Sequence, residues 1–181
     1  ADVGLIGLPN AGKSTLLAAV SNAKPKIASY PFTTLEPMLG VVTVGWERFT
    51  LADLPGLVEG ASEGYGLGFE FLKHIRRCRV LLHVVSCESP DPVTDYELIE
   101  GELRAYDPGL EHVARVVAVT KADLDHAAAE RSAQALAAHL GRPVRVISAH
   151  DGTGLEPLKE ELMALVTAST FRPRIVSTRL K

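Results

Sequence analysis

Short apolar, β-branched runs alternate along this chain with longer stretches of helical periodicity, an order that predicts a parallel sheet carrying helices on its faces. Asp2–Ile6, Leu39–Val44, Phe49–Ala52, Val80–Val85, Arg115–Val119 and Val144–Ile147 read as strands. Lys13–Ser21, Gly68–Arg77, Thr94–Tyr106, Ala127–His139 and Leu155–Val166 carry the helical spacing. Only Gly45-Trp-Glu-Arg48 separates the second run from the third, which reads as a hairpin turn, so one strand pair is expected to be antiparallel. The expectation is an α/β fold, a mostly parallel six-stranded sheet with one antiparallel strand and helices on both faces. Trp46 in the turn is expected to anchor local packing.

The first strand runs into Gly7-Leu-Pro-Asn-Ala-Gly-Lys-Ser14, and a predicted helix follows at once. This is the spacing Gly-x₄-Gly-Lys-Ser in the context that a phosphate-binding loop requires, and it places the fold among P-loop NTPases. Glycine lets the backbone wrap close to an anion, the N–H groups of the loop and helix start point at it, and the helix dipole favours negative charge. Lys13 adds a point charge for β- and γ-phosphates, and Ser14 offers a hydroxyl oxygen to Mg²⁺. The motif alone does not separate ATP from GTP.

Two further segments bear on a triphosphate. Asp53 ends an apolar strand in Leu51-Ala-Asp-Leu-Pro-Gly56, where a carboxylate can hold the hydration shell of Mg²⁺ and Gly56 can offer its N–H to the γ-phosphate. Asp53 reads alternatively as a turn carboxylate. Thr33 and Thr34 lie in the stretch between the first helix and the hairpin. A threonine there can ligate Mg²⁺ and read the γ-phosphate, ordering the loop only with triphosphate; Thr–Thr is also an ordinary loop pair, and spacing leaves both readings open. Gly60–Gly68 holds four glycines in nine residues, as a mobile sensing segment or an inert loop.

Thr120-Lys-Ala-Asp123 ends another strand. One carboxylate can accept both the N1–H and the 2-amino group of guanine, a donor pair that adenine lacks, so Asp123 is the candidate base reader. The Lys121 stem can lie along the base plane, and the backbone N–H groups of Ser148 and Ala149, after the last strand, can meet the guanine carbonyl oxygen.

Composition narrows the setting. Of 181 residues, 46% are hydrophobic and 23% charged, ordinary globular usage, and the net charge of −3 gives nucleic acid binding by the whole surface no support. Two cysteines, Cys78 and Cys87, exclude a disulfide framework and read as reduced, buried thiols of a cytoplasmic protein. No apolar stretch reaches the ~18 residues of a membrane span, and no leader pattern precedes the first strand. The six histidines show no metal-ligand spacing. The abrupt start at Ala1 and the tail from Thr170 to Lys181, with four basic residues and no acidic one, suggest an excised domain over 1–168 and a basic linker over 169–181.

The stretches Gly-Leu-Pro-Asn-Ala-Gly-Lys-Ser-Thr, Tyr-Pro-Phe-Thr-Thr-Leu, Asp-Leu-Pro-Gly-Leu-Val-Glu-Gly-Ala and Gly-Leu-Gly-Phe-Glu-Phe-Leu-Lys-His-Ile together resemble the Obg family of translation-factor-class GTPases from Val3 to about Val166. The resemblance implies binding and slow Mg²⁺-dependent hydrolysis of GTP to GDP, a link to ppGpp, and a role in maturing the large ribosomal subunit through domains flanking this one. A monomer is expected. Carried onto this chain, the phosphate loop falls on Gly7, Leu8, Pro9, Asn10, Ala11, Gly12, Lys13, Ser14 and Thr15. The first switch falls on Phe32, Thr33, Thr34, Leu35 and Glu36, and the second on Asp53, Leu54, Pro55 and Gly56. Thr120, Lys121, Ala122 and Asp123 form the base reader, and Ser148, Ala149 and His150 the final loop. Ser14 and Thr34, with Asp53 behind them, hold Mg²⁺; Lys13, Thr34 and Gly56 act in the reaction.

This chain departs from the family at Thr120, where asparagine is usual, so the amide contact bracing guanine and the phosphate loop is expected to weaken or rearrange. At Leu57, directly after Asp-x-x-Gly, Ras-type switches carry a water-orienting glutamine; leucine has no donor, and turnover near the ~10⁻⁴ s⁻¹ of unaided Ras-type hydrolysis is expected. Asn10 resembles the asparagine with which some relatives hold K⁺. An ATP-using relative and a nucleotide-gated ribosome or RNA docking module with incidental hydrolysis are the rival readings. A nucleoside kinase would need an acceptor site and an Arg-rich lid, neither of which is found.

Overall fold

A computed structural model of the chain describes residues 1–31, 36–54 and 72–170. Strands β1 (Val3–Ile6), β2 (Lys26–Ile27), β3 (Met38–Val44), β4 (Glu47–Asp53), β5 (Val80–Ser86), β6 (Ala114–Thr120) and β7 (Arg145–Val146) form one sheet in the order β2-β3-β4-β1-β5-β6-β7. β4, β1, β5, β6 and β7 pair in parallel, whereas β3 runs against both of its neighbours. The expected single antiparallel strand is therefore β3. The seventh strand, β2, was beyond reach of periodicity because two residues cannot show an alternation.

Among the described residues the helices are α1 (Lys13–Val20), α2 (Pro92–Tyr106), α3 (His126–Leu140) and α4 (Leu155–Thr170); residues 72–75, within the expected Gly68–Arg77 helix whose first four residues lie outside the described ones, form a helical turn, and a 3₁₀ turn at Pro108–His112 had not been signalled by the pattern. The Asp91 carboxylate accepts from Thr94 N at 3.1 Å with Pro92 in the first turn, so α2 starts before the apolar pattern does. Asp125 caps α3 through Ala128 N at 3.0 Å, and Gly141 at φ 69° closes it.

β5 is buried at every position from Val80 to Val85, as a central parallel strand must be when both sheet faces are covered. On one face Leu16, Leu17 and Val20 of α1 and Leu158, Leu162 and Val166 of α4 pack on Val3, Leu5, Phe49, Leu82 and Val116. On the other face Ile99 and Leu103 of α2, with Leu72 and Ile75, cover Ile6, Ala52 and Leu81, while α3 covers Val117 and Val119. Truncating one such fully buried leucine to alanine costs about 2–5 kcal/mol. Both cysteines are free and buried, and burial pushes the Cys78 thiol up to about 11. Trp46 corrects its expectation: it is 104% exposed, because Val44 pairs with Glu47 and leaves Gly45-Trp46 as a two-residue turn clear of the core.

Candidate functional site

The carboxyl ends of β4, β1, β5, β6 and β7 lie along one edge of the sheet, on both sides of the central β1, which is where α/β sheets bind ligands. The phosphate loop leaves β1 there. A Cβ on Gly7 would lie 2.7 Å from the backbone oxygen of Val84, so only glycine lets the loop pass over β5. Ala11 N donates to Leu8 O at 3.1 Å, and Asn10 and Gly12 take left-handed φ angles of 69° and 88°.

Gly12 caps α1 with no side-chain acceptor, and the first turn has no acidic residue. The backbone N–H groups of Lys13, Ser14 and Thr15 therefore have no acceptor within the helix, and they face an anion site with the dipole behind them. Lys13 Nζ donates to Leu54 O at 3.3 Å and lies 3.6 Å from Asp53 Oδ1, with both charged side chains mostly shielded. Register sets this contact, since Asp53 pairs with Leu5 at the end of β1.

No cluster of three or more His, Cys, Asp or Glu side chains suited to a metal occurs among the described residues. The oxygens at hand are the exposed Ser14 hydroxyl and the Asp53 carboxylate. One or two protein oxygens completed by phosphate and water suit Mg²⁺, which keeps most of its hydration, and suit Ca²⁺ or Zn²⁺ cages poorly. The donor set fits Mg²⁺.

Beside the loop opens a pocket of about 210 Å³ lined by Gly12, Thr15, Leu16, Thr120, Lys121, Asp123, Leu124, Ile147, Ala149 and His150. Asp123 stands at it with one carboxylate oxygen, Oδ1, accepting from Ser148 Oγ at 2.8 Å. Ser148 is fully buried and its hydroxyl also accepts from Asp151 N at 3.2 Å. The expected role of the Ser148 backbone is corrected here: its N–H donates to Thr153 O at 2.9 Å and is not available to a base. Ser148 acts through its hydroxyl, orienting Asp123, and Ala149 and His150 remain as pocket walls.

At Thr120 the contact is rearranged, one of the two outcomes expected of threonine in the place of asparagine. The buried Thr120 hydroxyl donates to Ala11 O at 2.6 Å, so the tie between base reader and phosphate loop persists without an amide. Lys121 holds a left-handed φ of 63°, unusual for a side-chain-bearing residue, and its Nζ reaches Glu88 Oε1 at 2.8 Å. That contact lays its stem along the pocket. The exposed Leu124, the other apolar wall, carried no sequence signal beyond its place after Asp123.

The structure thus brings together Gly7–Thr15, Asp53, Leu54, Thr120–Asp123 and Ser148–His150. Glu36 is exposed ahead of β3 and does not line the base pocket. Phe32, Thr33, Thr34, Leu35, Pro55, Gly56, Leu57 and Gly60–Gly68 lie outside the described residues.

The profile of the 50S ribosome-binding GTPase family matches residues 2–122, from β1 through the phosphate loop to the start of the base reader. This chain belongs to that family. Among curated relatives, GTPase Obg of Zymomonas mobilis is 48% identical over 91% of this chain and 48% of its own length. GTPase Obg of Chloroflexus aurantiacus is 51% identical over 93% of this chain and 39% of its own. The chain accordingly spans half or less of the length of these relatives. Among solved structures, the cytosolic domain of the T. maritima FeoB iron transporter in a GDP form superposes with a TM-score of 0.71 at 26% identity, covering 91% of this chain and 62% of that one. The α/β fold with a phosphate loop is that of this GTPase family. No helix among the described residues is long and apolar enough to cross a membrane.

Proposed function

We propose that this 50S ribosome-binding GTPase family domain is a guanine-nucleotide switch that binds GTP and GDP, hydrolyses GTP slowly, and serves large ribosomal subunit assembly in the cytoplasm. The observation that carries the reading is Asp123, aimed by the Ser148 hydroxyl at 2.8 Å into a pocket that opens on Gly12 and Thr15 of the phosphate loop. With one oxygen engaged by Ser148, the carboxylate retains lone pairs for the N1–H and 2-amino donors of guanine. Adenine would leave that charge unpaired, a large penalty in a closed site.

Lys13 shifts from Asp53 and Leu54 O to the β- and γ-phosphate oxygens when nucleotide enters, and the N–H groups of residues 13–15 hold the β-phosphate. Ser14, with Asp53 through a water shell, would hold Mg²⁺, which would supply neutralisation of the phosphate charge. Thr34 and Gly56, which lie outside the described residues, are assigned the remaining γ-phosphate contacts by the resemblance alone. Water attacks the γ-phosphorus in line, the bond to the β–γ bridging oxygen breaks, and a water proton passes to the released phosphate. With Leu57 following Gly56, no side chain there orients the water, and turnover near ~10⁻⁴ s⁻¹ follows. Asn10 resembles the asparagine with which some relatives hold K⁺, and on that resemblance turnover in KCl should exceed that in NaCl.

A competition titration of fluorescent GDP against GTP, GDP, ppGpp and ATP in Mg²⁺ tests the reading. Displacement by the guanine nucleotides at micromolar concentration, with ATP inert, is the expected result. Equal competition by ATP would overturn the assignment of Asp123.

A further inference from the structure

A second pocket, of about 300 Å³, opens between the phosphate loop and the start of α2. Residues 8–11 of the loop form one side, residues 83–86 of β5 the floor, and Glu88, Ser89 and Asp95 the other side. Among the described residues it shares no wall with the base pocket.

Its floor holds a side chain with an unmet need. His83 is fully buried, and its Nδ1 lies 3.0 Å from Glu100 Oε1. A carboxylate can only accept, so the proton of that contact sits on Nδ1. The other ring nitrogen, Nε2, is buried without a hydrogen-bond partner among the described residues. From the carboxyl edge of the sheet α2 runs back over β5, so Asp95 stands near that edge and Glu100 lies deeper. With Nδ1 turned to Glu100, Nε2 is turned toward the Asp95 end, into the pocket that His83 lines. Tyr96 stacks on the ring at 4.6 Å and holds that orientation. Protein interiors rarely leave such a nitrogen unpaired, and a cavity in front of it gives room for a partner.

The rim is acidic. Asp95 Oδ2 accepts from Ser89 Oγ at 2.6 Å, and among the described residues no cation stands at ion-pair distance from it. Glu88 Oε1 is held by Lys121 Nζ at 2.8 Å. Each carboxylate keeps its second oxygen open among the described residues. Leu8, Pro9 and Val85 add apolar surface.

We propose that this pocket binds a compact primary amine bearing a hydroxyl, with the ammonium on Asp95, the hydroxyl on His83 Nε2 and the carbon chain against Leu8 and Val85. An ammonium has only donors to offer, which suits a carboxylate rim, and no Lys or Arg among the described residues lines the pocket to repel it. A hydroxyl both donates and accepts, so it serves Nε2 on the neutral and on the protonated ring alike. An anion would meet two carboxylates. A metal ion is the poorer occupant, because no group of three or more His, Cys, Asp or Glu side chains among the described residues is suited to hold one.

The test is a titration of the ¹⁵N-histidine-labelled chain with propanolamine at constant ionic strength, read by NMR at the His83 Nε2 resonance. The signal should shift saturably. Propylamine, which lacks the hydroxyl, and propanol, which lacks the ammonium, should each bind about fivefold more weakly or worse, through the hydrogen bond each forfeits. Asp95→Asn should weaken propanolamine about tenfold, through loss of the charge-assisted contact. His83→Phe keeps a ring and removes both nitrogens, and it should abolish the preference for propanolamine over propylamine. Should that variant fail to fold, since Glu100 loses a partner with it, the Nε2 resonance of the unaltered chain and the Asp95→Asn titration decide. GDP should not displace the amine. Four results overturn the proposal: no saturable shift at Nε2, propylamine bound as tightly as propanolamine, an Asp95→Asn chain of unchanged affinity, or displacement by GDP, which would place the amine in the nucleotide site.

Discussion

Two polar constellations flank β5, and they differ in how completely their charges are satisfied. Under α2, Glu100 is buried between Arg115, which reaches it at 2.8 and 3.0 Å, and the fully buried His83, whose Nδ1 lies 3.0 Å away with its ring stacked on Tyr96. At the carboxyl edge, Lys13 leans on Asp53 at 3.6 Å, and Asp123 has one firm partner. In the knot under α2 the Glu100 charge is paired on both sides, although His83 Nε2 is buried without a hydrogen-bond partner among the described residues, and the knot works for stability. The rim keeps spare hydrogen-bonding capacity, and that surplus marks it as the place for a ligand.

The comparison breaks most visibly at Glu100. Burial raises its pKa, but the hydrogen bonds and charges of His83 and Arg115 outweigh this and hold the carboxyl below its ordinary 4.5. Glu100→Ala leaves an arginine and a histidine buried without their partner, and about 3–5 kcal/mol of stability should disappear in urea unfolding, with GDP affinity retained in the folded fraction. Because the folded pKa is lowered, the stabilisation is complete above 4.5 and is lost as pH falls below it through the folded value. The unaltered chain should therefore lose stability on acidification through that window more steeply than Glu100→Gln. Equal slopes would show that the knot carries no net charge–charge stabilisation.

At the rim the balance reverses. Lys13→Ala should leave stability nearly unchanged, because the ammonium has only a long ion pair and a 3.3 Å carbonyl contact to lose. Nucleotide affinity should fall by about 3 kcal/mol or more, roughly a hundredfold in Kd, since the phosphates lose their charged partner. Calorimetric GDP titration and a melting curve read the two quantities separately. A variant that melts early and still binds GDP would place Lys13 with the knot instead.

A smaller effect is expected from Ser148→Ala, which removes the hydroxyl that orients Asp123 and leaves the carboxylate itself in place. The preference for GDP over ADP should narrow by about 1 kcal/mol, near fivefold, mainly through weaker GDP binding. An unchanged ratio would mean that Asp123 finds its geometry without Ser148.

These contrasts were unequally legible in the sequence. The phosphate loop and Asp123 could be read because their chemistry depends on a fixed spacing beside a strand end, and the sheet because its buried parallel strands are continuous apolar runs. The knot had no such signature: His83, Glu100 and Arg115 come from β5, α2 and β6, and only the packing of α2 across those strands brings them together. The commitment of Ser148 N to Thr153 O was hidden for the same reason, as it depends on the fold of the turn at Asp151–Thr153. Pattern reading likewise put Trp46 in a packing role, since it weighs side-chain size and not the length of the turn that carries the residue outward.

Thr120 belongs to the rim, which it serves with a buried hydroxyl. It has a single proton, and Ala11 O at 2.6 Å takes it. Guanine N7 is an acceptor on the edge away from the N1 and 2-amino donors that Asp123 is placed to read, and Thr120 has no second donor to offer it. Replacing N7 by carbon should therefore matter little, and 7-deaza-GDP should compete within about twofold of GDP, less than one neutral hydrogen bond. Thr120→Asn supplies two amide protons, one for Ala11 O and one for the base, and should open a gap of about 1 kcal/mol between the two nucleotides. If the unaltered chain already rejects 7-deaza-GDP by tenfold, another donor reaches N7, and the base pocket closes around guanine more fully than its walls at Lys121 and Ala149 indicate.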